Sequence, residues 1–263
     1  MTAPTHITRR ASETGAAPPS SFIIEGETVT LPVHVRSARM IGAQYFVDAD
    51  AAQQLIGYSG LTIARQRGNK AVCSLSAVQY LDNDLGPYNE VAVAFVVHPH
   101  DAPPHTKVSF TKPTTFIHKL PVNQAFTCAA GKGIWGFPKW VTSITFTTRG
   151  KVTEAVLIDD DEFVLSLAVR RSPIPLPSRE MEMACYSSSD GLLRRTPWTT
   201  RNDLVSARIG GARLELGSRH PMAQELRSLG LPKGAFMSMT TGRMSATFGL
   251  ADELGWPDDD LDD

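Results

Sequence analysis

The stretch GKGIWGFPKW, residues 131–140, decides how this chain is interpreted. It places Lys139 directly after a proline and among bulky apolar side chains. Transferring an unpaired ammonium from water to an apolar environment costs much free energy, so a lysine in this setting needs an explanation. Two interpretations stay open here. Either the amine is used in chemistry, or the lysine stem lies on aromatic rings while its ammonium reaches water.

Burial would give the amine a chemical use. A free lysine has a pKa near 10.4, so only about one molecule in two thousand is an unprotonated amine at neutral pH. An apolar environment disfavours the ammonium form and makes a neutral, nucleophilic amine available. We expect Trp135, Phe137 and Trp140 to supply those apolar surroundings and to contact a bound substrate.

The rest of the chain is patterned mainly as β-strands. Alternating apolar and polar residues, or short β-branched apolar runs, are typical of half-buried and buried strands. Such patterns occur at residues 28–35, 91–98, 162–169, 212–216 and 236–248, and as a hairpin at 143–159 that turns near Gly150. Two short helices are predicted, one over 48–57 and one over 220–230.

Charge and composition exclude several classes of protein. The 26 basic and 27 acidic residues nearly cancel, so no nucleic-acid partner is expected. No run of about 18 apolar residues is present, so no membrane partner is expected either. The 3 cysteines lie far apart without C-x-x-C spacing, which favours a reducing cytoplasm over a disulfide scaffold.

The chain is predicted to form one domain. Small and polar residues dominate residues 1–21, which we expect to be a disordered leader. The acidic residues 257–263 are expected to be a disordered tail. Between them, residues 22–256 contain no repeat and no long linker, so they are predicted to fold as a single unit.

Three segments, in the right order, resemble the acetoacetate decarboxylase family. Residues 131–139 (GKGIWGFPK) fit the family's central motif without gaps, and Lys139 falls on its Schiff-base lysine. Residues 86–91 (GPYNEV) are similar to a segment whose Tyr-x-Glu places an active-site glutamate, here Glu90. Residues 210–240 are similar to the family's strand, helix start and following strand.

The resemblance implies a fold and an assembly. The fold is mainly β (α+β): an antiparallel β-barrel or cone of the acetoacetate decarboxylase type with a few flanking helices. Lys139 is expected inside the barrel. The family forms homo-oligomers and uses no cofactor and no metal, so the same is expected of this chain.

The resemblance also implies a lyase that acts on a small-molecule keto acid. Lys139 would form a Schiff base with the ketone, and Glu90 would be the acid/base. The predicted reaction is decarboxylation of an acetoacetate-like β-keto acid. Aldol condensation with dehydration on the same lysine is the alternative. Tyr88 is expected to contact the substrate. Arg36 and Arg39 are the nearest candidates for holding its carboxylate, and Arg39 is the one counted among the site residues.

The chain departs from the family pattern at several positions. The family's second lysine is Trp140 here, and the motif's arginine and glutamate are Lys132 and Gly133. A further family glutamate would fall near residues 74–76, which contain no acid. These losses keep open a hypothesis of another class, a non-catalytic barrel that binds a hydrophobic small molecule.

One further cluster has the composition of a metal site. His98, His100, Asp101 and His105 lie within eight residues, and imidazole with carboxylate can bind zinc. Three interspersed prolines are more typical of a stiff exposed loop. We therefore expect no metal there.

Overall fold

The structure is a computed structural model that describes residues 20–102, 106, 114–174, 176–177 and 179–254. The predicted leader lies outside these ranges except for its last two residues, Ser20 and Ser21. The predicted acidic tail lies outside them entirely, and so does His105 of the histidine cluster.

Strands dominate the described residues, as the sequence predicts. In chain order they are β1 (Ser21–Ile24), β2 (Glu27–Thr30), β3 (Val33–Asp48), β4 (Lys70–Asn83), β5 (Tyr88–Val96), β6 (Thr114–Lys119), β7 (Ser143–Arg149), β8 (Val152–Asp159), β9 (Glu162–Arg170), β10 (Arg179–Ser189), β11 (Leu192–Arg208), β12 (Ala212–Leu216), β13 (Met237–Phe248) and β14 (Asp252–Leu254). The predicted 28–35 strand is two strands, because Pro32 has no N–H for the ladder and separates β2 from β3.

Seven of these strands close into a barrel in the order β3–β4–β5–β6–β10–β11–β13, and β13 pairs with β3 to complete the ring. The predicted β-barrel is confirmed. All neighbours in it are antiparallel except β6 and β10, which pair in parallel. Strand β14 adds to β11 outside the ring, β12–β9–β8–β7 form a second sheet, and β1–β2 form a hairpin.

Side chains alternate between the two faces of each barrel strand. On β3, the buried Ile41, Ala43 and Tyr45 face outward into the largest apolar cluster. That cluster also contains side chains of β9 and of two helices, so the second sheet and these helices cover the outside of the barrel. Ala38 and Met40 belong to a smaller cluster inside the barrel, beside the candidate site described below.

The two predicted helices are confirmed as α1 (Ala49–Ile56) and α3 (Pro221–Ser228). Asp48 caps α1, since its Oδ1 accepts hydrogen bonds from the backbone N–H groups of Asp50 and Ala51 at 3.0 Å each. Within the described residues, no helix has the length and apolar composition needed to cross a membrane.

A third helix, α2 (Ala125–Trp135), is missed by the sequence analysis. It contains Gly131 and Gly133, and glycine has low helix propensity. Tertiary packing overrides this, because α2 buries Cys128, Ala130 and Ile134. Together with the β1–β2 hairpin, α2 contributes to an apolar cluster that also includes Cys185 of β10, so this cluster packs on the inner face of the barrel.

Candidate active site

The backbone after α2 brings Lys139 to the inside of the barrel. Helix α2 ends at Gly136, which has a left-handed conformation (φ +62°) that favours glycine. The chain then runs beside residues 120–122: the N–H of Leu120 donates to the carbonyl of Pro138, and the N–H of Val122 donates to that of Trp140. Lys139 is therefore held between two backbone hydrogen bonds.

Residues 120–122 also place Glu90 beside Lys139. Val122 forms bridges with both Glu90 and Val141, so β5 and the Lys139 segment lie on either side of it. The Nζ of Lys139 donates a 2.8 Å hydrogen bond to Oε2 of Glu90. Only 5% of Lys139 and 7% of Glu90 are exposed. The alternative of a lysine whose ammonium reaches water is thus wrong.

Two stacked tyrosines complete the surroundings of this pair. The rings of Tyr80 and Tyr88 lie face to face with centroids 4.3 Å apart. Tyr80 donates a 3.3 Å hydrogen bond to Oε1 of Glu90, and Nζ of Lys139 lies 5.2 Å from the centroid of Tyr88. Burial raises the pKa of both phenols well above the ordinary value, so both stay protonated at neutral pH.

Of the aromatic residues predicted to surround Lys139, Phe137 lies beside it and Trp135 packs behind Phe137. Phe137 lies 6.0 Å from Nζ of Lys139, measured to the ring centroid. Trp135 stacks on Phe137 at 5.9 Å and donates a 2.9 Å hydrogen bond from Nε1 to the carbonyl of Gly249. Phe137 thus borders the lysine, whereas Trp135 supports Phe137.

The structure does not bring Trp140 or Arg39 to the lysine. Trp140 packs on the outer apolar cluster and donates a 2.8 Å hydrogen bond from Nε1 to Oδ2 of Asp159. Arg39 is exposed and lies between Ala38 and Met40 on β3, both of which face the inner cluster. Since neighbouring residues of a strand face opposite sides, Arg39 faces outward in this chain.

Tyr80 is the site residue that the sequence analysis missed. It lies directly opposite Tyr88 across the β4–β5 pair, so both rings share the inner face. The alternating pattern of β4 could have indicated this, because Val78 and Tyr80 are two residues apart and therefore share a face of the strand. Only the strand pairing shows that this face meets Glu90.

The free cysteines and the described part of the histidine cluster form no second centre. Cys73, Cys128 and Cys185 are buried and unpaired. Burial, with a smaller effect of the Glu90 carboxylate, raises the pKa of the Cys185 thiol to about 12, so this thiol is protonated beside the site. Among the residues that the structure describes, no group of three or more potential ligands is arranged to hold a metal.

Gly131 of α2 lies directly against the side chain of Lys139. A Cβ at this position of α2 would lie 2.6 Å from Cδ and Cε of Lys139 and 3.2 Å from Nζ. These atoms belong to the flexible end of a side chain, so an alanine would displace the amine while the backbone keeps its place. The glycine therefore sets the position of Nζ relative to Glu90.

Gly131→Ala is expected to lower turnover about 10- to 100-fold with little loss of thermal stability, since a misplacement of about 1 Å can cost 10²-fold. Steady-state rates and thermal melts measure both effects. Gly57→Ala is the matched control, because Gly57 has helical dihedral angles and nothing within 4 Å of a built Cβ. Equal turnover of the two variants would contradict this role of Gly131.

Solved structures share this fold. The acetoacetate decarboxylase of Legionella pneumophila subsp. pneumophila str. Philadelphia 1 is 14% identical and aligns with TM-score 0.62 over 85% of this chain and 87% of its own. The enduracididine biosynthesis enzyme MppR, complexed with the condensation product of pyruvate and imidazole 4-carboxaldehyde, is 15% identical, with TM-score 0.64 over 92% and 99%. An acetoacetate decarboxylase-like enzyme from Sphingomonas wittichii RW1 is 14% identical, with TM-score 0.56 over 86% and 94%.

The fold is therefore that of the acetoacetate decarboxylase-like proteins. Residues 23–252 match the family model described as acetoacetate decarboxylase. This chain belongs to the acetoacetate decarboxylase family. Among curated proteins, no sequence matches it.

Proposed function

We propose that this protein is a Schiff-base-forming enzyme that acts on a keto acid, and that its main reaction is decarboxylation of a β-keto acid. One observation carries the proposal: a lysine with 5% exposure whose Nζ lies 2.8 Å from a buried carboxylate, inside a barrel of this family. A buried, directly paired amine and acid are the two groups that imine chemistry needs.

The Lys139–Glu90 contact supplies the nucleophile. Transfer of one proton from Nζ to the carboxylate turns an ion pair into a neutral amine and a neutral acid. Two neutral groups are better tolerated than charges in an apolar site. The amine adds to the keto carbon of the substrate. The carbonyl oxygen takes one proton from the amine nitrogen and one from the Glu90 carboxyl and leaves as water, so a protonated imine remains on Nζ and Glu90 is a carboxylate again. A lysine that is desolvated in an apolar pocket is a nucleophile suited to this step.

The protonated imine drives decarboxylation. When the Cα–carboxylate bond of a β-keto acid breaks, its electron pair moves into a new carbon–carbon double bond and the iminium nitrogen becomes neutral. CO2 leaves, and an enamine remains. Glu90 takes up one proton from solvent water and passes it to the enamine carbon, and water releases the ketone from Lys139. Tyr80, hydrogen-bonded to Oε1 of Glu90, stabilises the carboxylate that this step creates.

A second candidate reaction uses the same intermediate. Pyruvate bound as an imine can lose a methyl proton to Glu90 and react as an enamine with an aldehyde, losing water afterwards. This reaction is favoured by the position of Trp140, because the residue that replaces the family's second lysine turns away toward Asp159. The likeness to MppR with its bound condensation product also supports it.

Borohydride trapping tests the shared step. The protein is incubated with acetoacetate or with pyruvate, reduced, and analysed by intact mass and peptide mapping. We expect one reduced adduct on Lys139. CO2 release from acetoacetate, or consumption of pyruvate with an added aldehyde, then separates decarboxylation from condensation. Binding of either acid without an adduct would overturn the proposal in favour of a non-catalytic binding barrel.

We also propose a cytoplasmic homo-oligomer. The three unpaired, buried cysteines support a reducing compartment. Exposed apolar side chains support self-association: Ile174 is 71%, Leu204 64% and Ile209 90% exposed in the single chain.

A further inference from the structure

Buried polar atoms without partners are concentrated on one side of the barrel. Of the eight such side-chain atoms among the described residues, four are grouped here: Oγ1 of Thr196, Nε1 of Trp198 and Oδ1 of Asn202 on β11, and Oγ1 of Thr241 on β13. None of them has a hydrogen-bond partner among the residues that the structure describes. Buried polar atoms are nearly always paired in native proteins, so four such atoms on two adjacent strands need an explanation. We call these four residues the inner wall.

Strand pairing shows that the inner wall faces the interior. Trp198 lies directly opposite Phe248, and Asn202 directly opposite Met244. Met244 belongs to the inner cluster, and Trp198 and Phe248 pack against it. Directly opposite residues share a face, and so do residues two positions apart, which includes Thr196.

Thr241 lies on the same face as the catalytic carboxylate. It is opposite Met40, Met40 is opposite Val78, and Val78 is opposite Glu90, so the four form one row across adjacent strands. The row spans three strand spacings, or roughly 14 Å along the curved sheet. Thr241 and Glu90 are therefore at opposite ends of one inner row.

The inner wall lies across the narrow barrel from the strand that carries Glu90. From β5, which carries Glu90, β11 is three strand spacings away in one direction and four in the other, so the two strands face each other across the ring. A barrel of about eight strands has room for side chains or for one small ligand. A substrate that is attached to Lys139 and extends across the barrel away from Glu90 would approach the inner wall.

Small side chains leave room next to the catalytic row. In the adjacent row, Ala92 is opposite Ser76, and Ser76 is opposite Gly42. Ser76 and Ala92 are only half-buried, so the inner face is accessible here.

The surroundings of the inner wall are flat and apolar. The rings of Trp198 and Phe248 stack at 5.2 Å with only 5° between their planes. Met40 and Met244 line the same face and can adapt to different ring shapes. Flat rings and flexible thioethers are suited to packing against a planar apolar group whose end would meet the unpartnered polar atoms of the inner wall.

We propose that the inner wall binds the far end of the substrate, and that the substrate is a keto acid whose planar apolar stem ends in a neutral hydroxyl. The hydroxyl would pair with Thr241, Asn202 or the Trp198 N–H, each of which has unused hydrogen-bonding capacity. This inference rests on the proposed function for the position of the keto end. It goes beyond that function by naming the specificity-determining residues.

Two acids that differ by one hydroxyl provide the test. Calorimetric titration of the wild-type protein compares phenylpyruvate with 4-hydroxyphenylpyruvate. We expect the hydroxylated acid to bind about 10-fold more tightly, because a site with unpaired polar groups discriminates against an analogue that lacks the matching group. Equal affinities, or no binding of either acid, would overturn the proposal.

Adjacent threonines provide the matched variants. Thr241→Val and Trp198→Phe each remove one polar group and keep the shape, so each should reduce the preference to about 2- to 3-fold. Thr240→Val is the control, since Thr240 has an equally unpartnered hydroxyl among the described residues but lies opposite Ile41 of the outer cluster. An unchanged preference in both test variants, or an equal loss in the control, contradicts the assignment.

Borohydride reduction of the same samples separates this inference from the function on which it rests. A preference without an adduct on Lys139 would support the inner wall and refute the imine. An adduct without a preference would support the imine and refute the wall.

Discussion

Replacing Lys139 with methionine is expected to abolish the borohydride adduct and to lower turnover by at least about 10⁴-fold, since Nζ of Lys139 is the nitrogen on which the proposed imine forms. Methionine is similar in length to lysine and is neutral, so it fills the same space between Tyr88 and Gly131. Intact mass after reduction and steady-state CO2 release measure the two effects. An adduct of undiminished yield would show that another lysine carries the chemistry.

A second lysine–glutamate pair provides a control of the same kind. Nζ of Lys119 lies 3.0 Å from Oε1 of Glu225, but on the outer face of the barrel and with 27% of its side chain exposed. Lys119→Met removes the same group from a similar pair, and we expect it to retain both adduct and turnover. Loss of activity in both variants would indicate a general dependence on charge.

Lys139→Met is also expected to lower the free energy of unfolding. Removing one partner of a buried ion pair can cost about 3–5 kcal/mol, because the remaining charge is uncompensated. Lys139→Met leaves the Glu90 carboxylate in that position unless it takes up a proton. The double variant Lys139→Met with Glu90→Gln removes both charges and should melt at a higher temperature than the single variant.

The sequence predicts the fold and the central lysine because both depend on local pattern. Alternation and β-branched runs define strands, and the motif around Lys139 carries the resemblance to the family. The apolar neighbours of Lys139 left open whether its ammonium is buried or reaches water, and the structure shows that it is buried. Glu90 could be placed only through the resemblance, since an isolated glutamate after a proline is otherwise typical of an exposed turn.

What the sequence could not predict depends on the direction of side chains. Trp140 is adjacent to Lys139, yet the hydrogen bonds of its segment turn it outward to Asp159. Arg39 belongs to a strand whose inward positions are Ala38 and Met40. A register shift between Val35 and Ala38 changes which residues of this strand face inward, and the sequence alone does not show that shift. Helix α2 was not predicted because its glycines have low helix propensity. One of them, Gly131, leaves space for the side chain of Lys139.

Glu90→Gln is expected to separate imine formation from turnover. Glutamine keeps the size of the side chain but cannot take up or return a proton, so turnover should fall about 10²- to 10⁴-fold. Imine formation should survive, because a buried lysine without a carboxylate partner favours its neutral form, which is the nucleophile. Borohydride labelling of Lys139 should therefore equal or exceed that of the wild type while product release is slow.

This split distinguishes a proton-transfer role from a structural one. If Glu90 only held Lys139 in place, both the adduct and turnover would fall together, as they should in Lys139→Met. Glu225→Gln removes the carboxylate of the outer pair and is expected to leave the ratio of labelling to turnover unchanged. Tyr80→Phe removes the hydrogen bond to Oε1 but keeps the carboxylate, so a loss of about 10-fold in turnover with full labelling is expected. A Glu90→Gln protein that turns over normally would remove the acid/base assignment and leave Lys139 as the sole catalytic group of the pair.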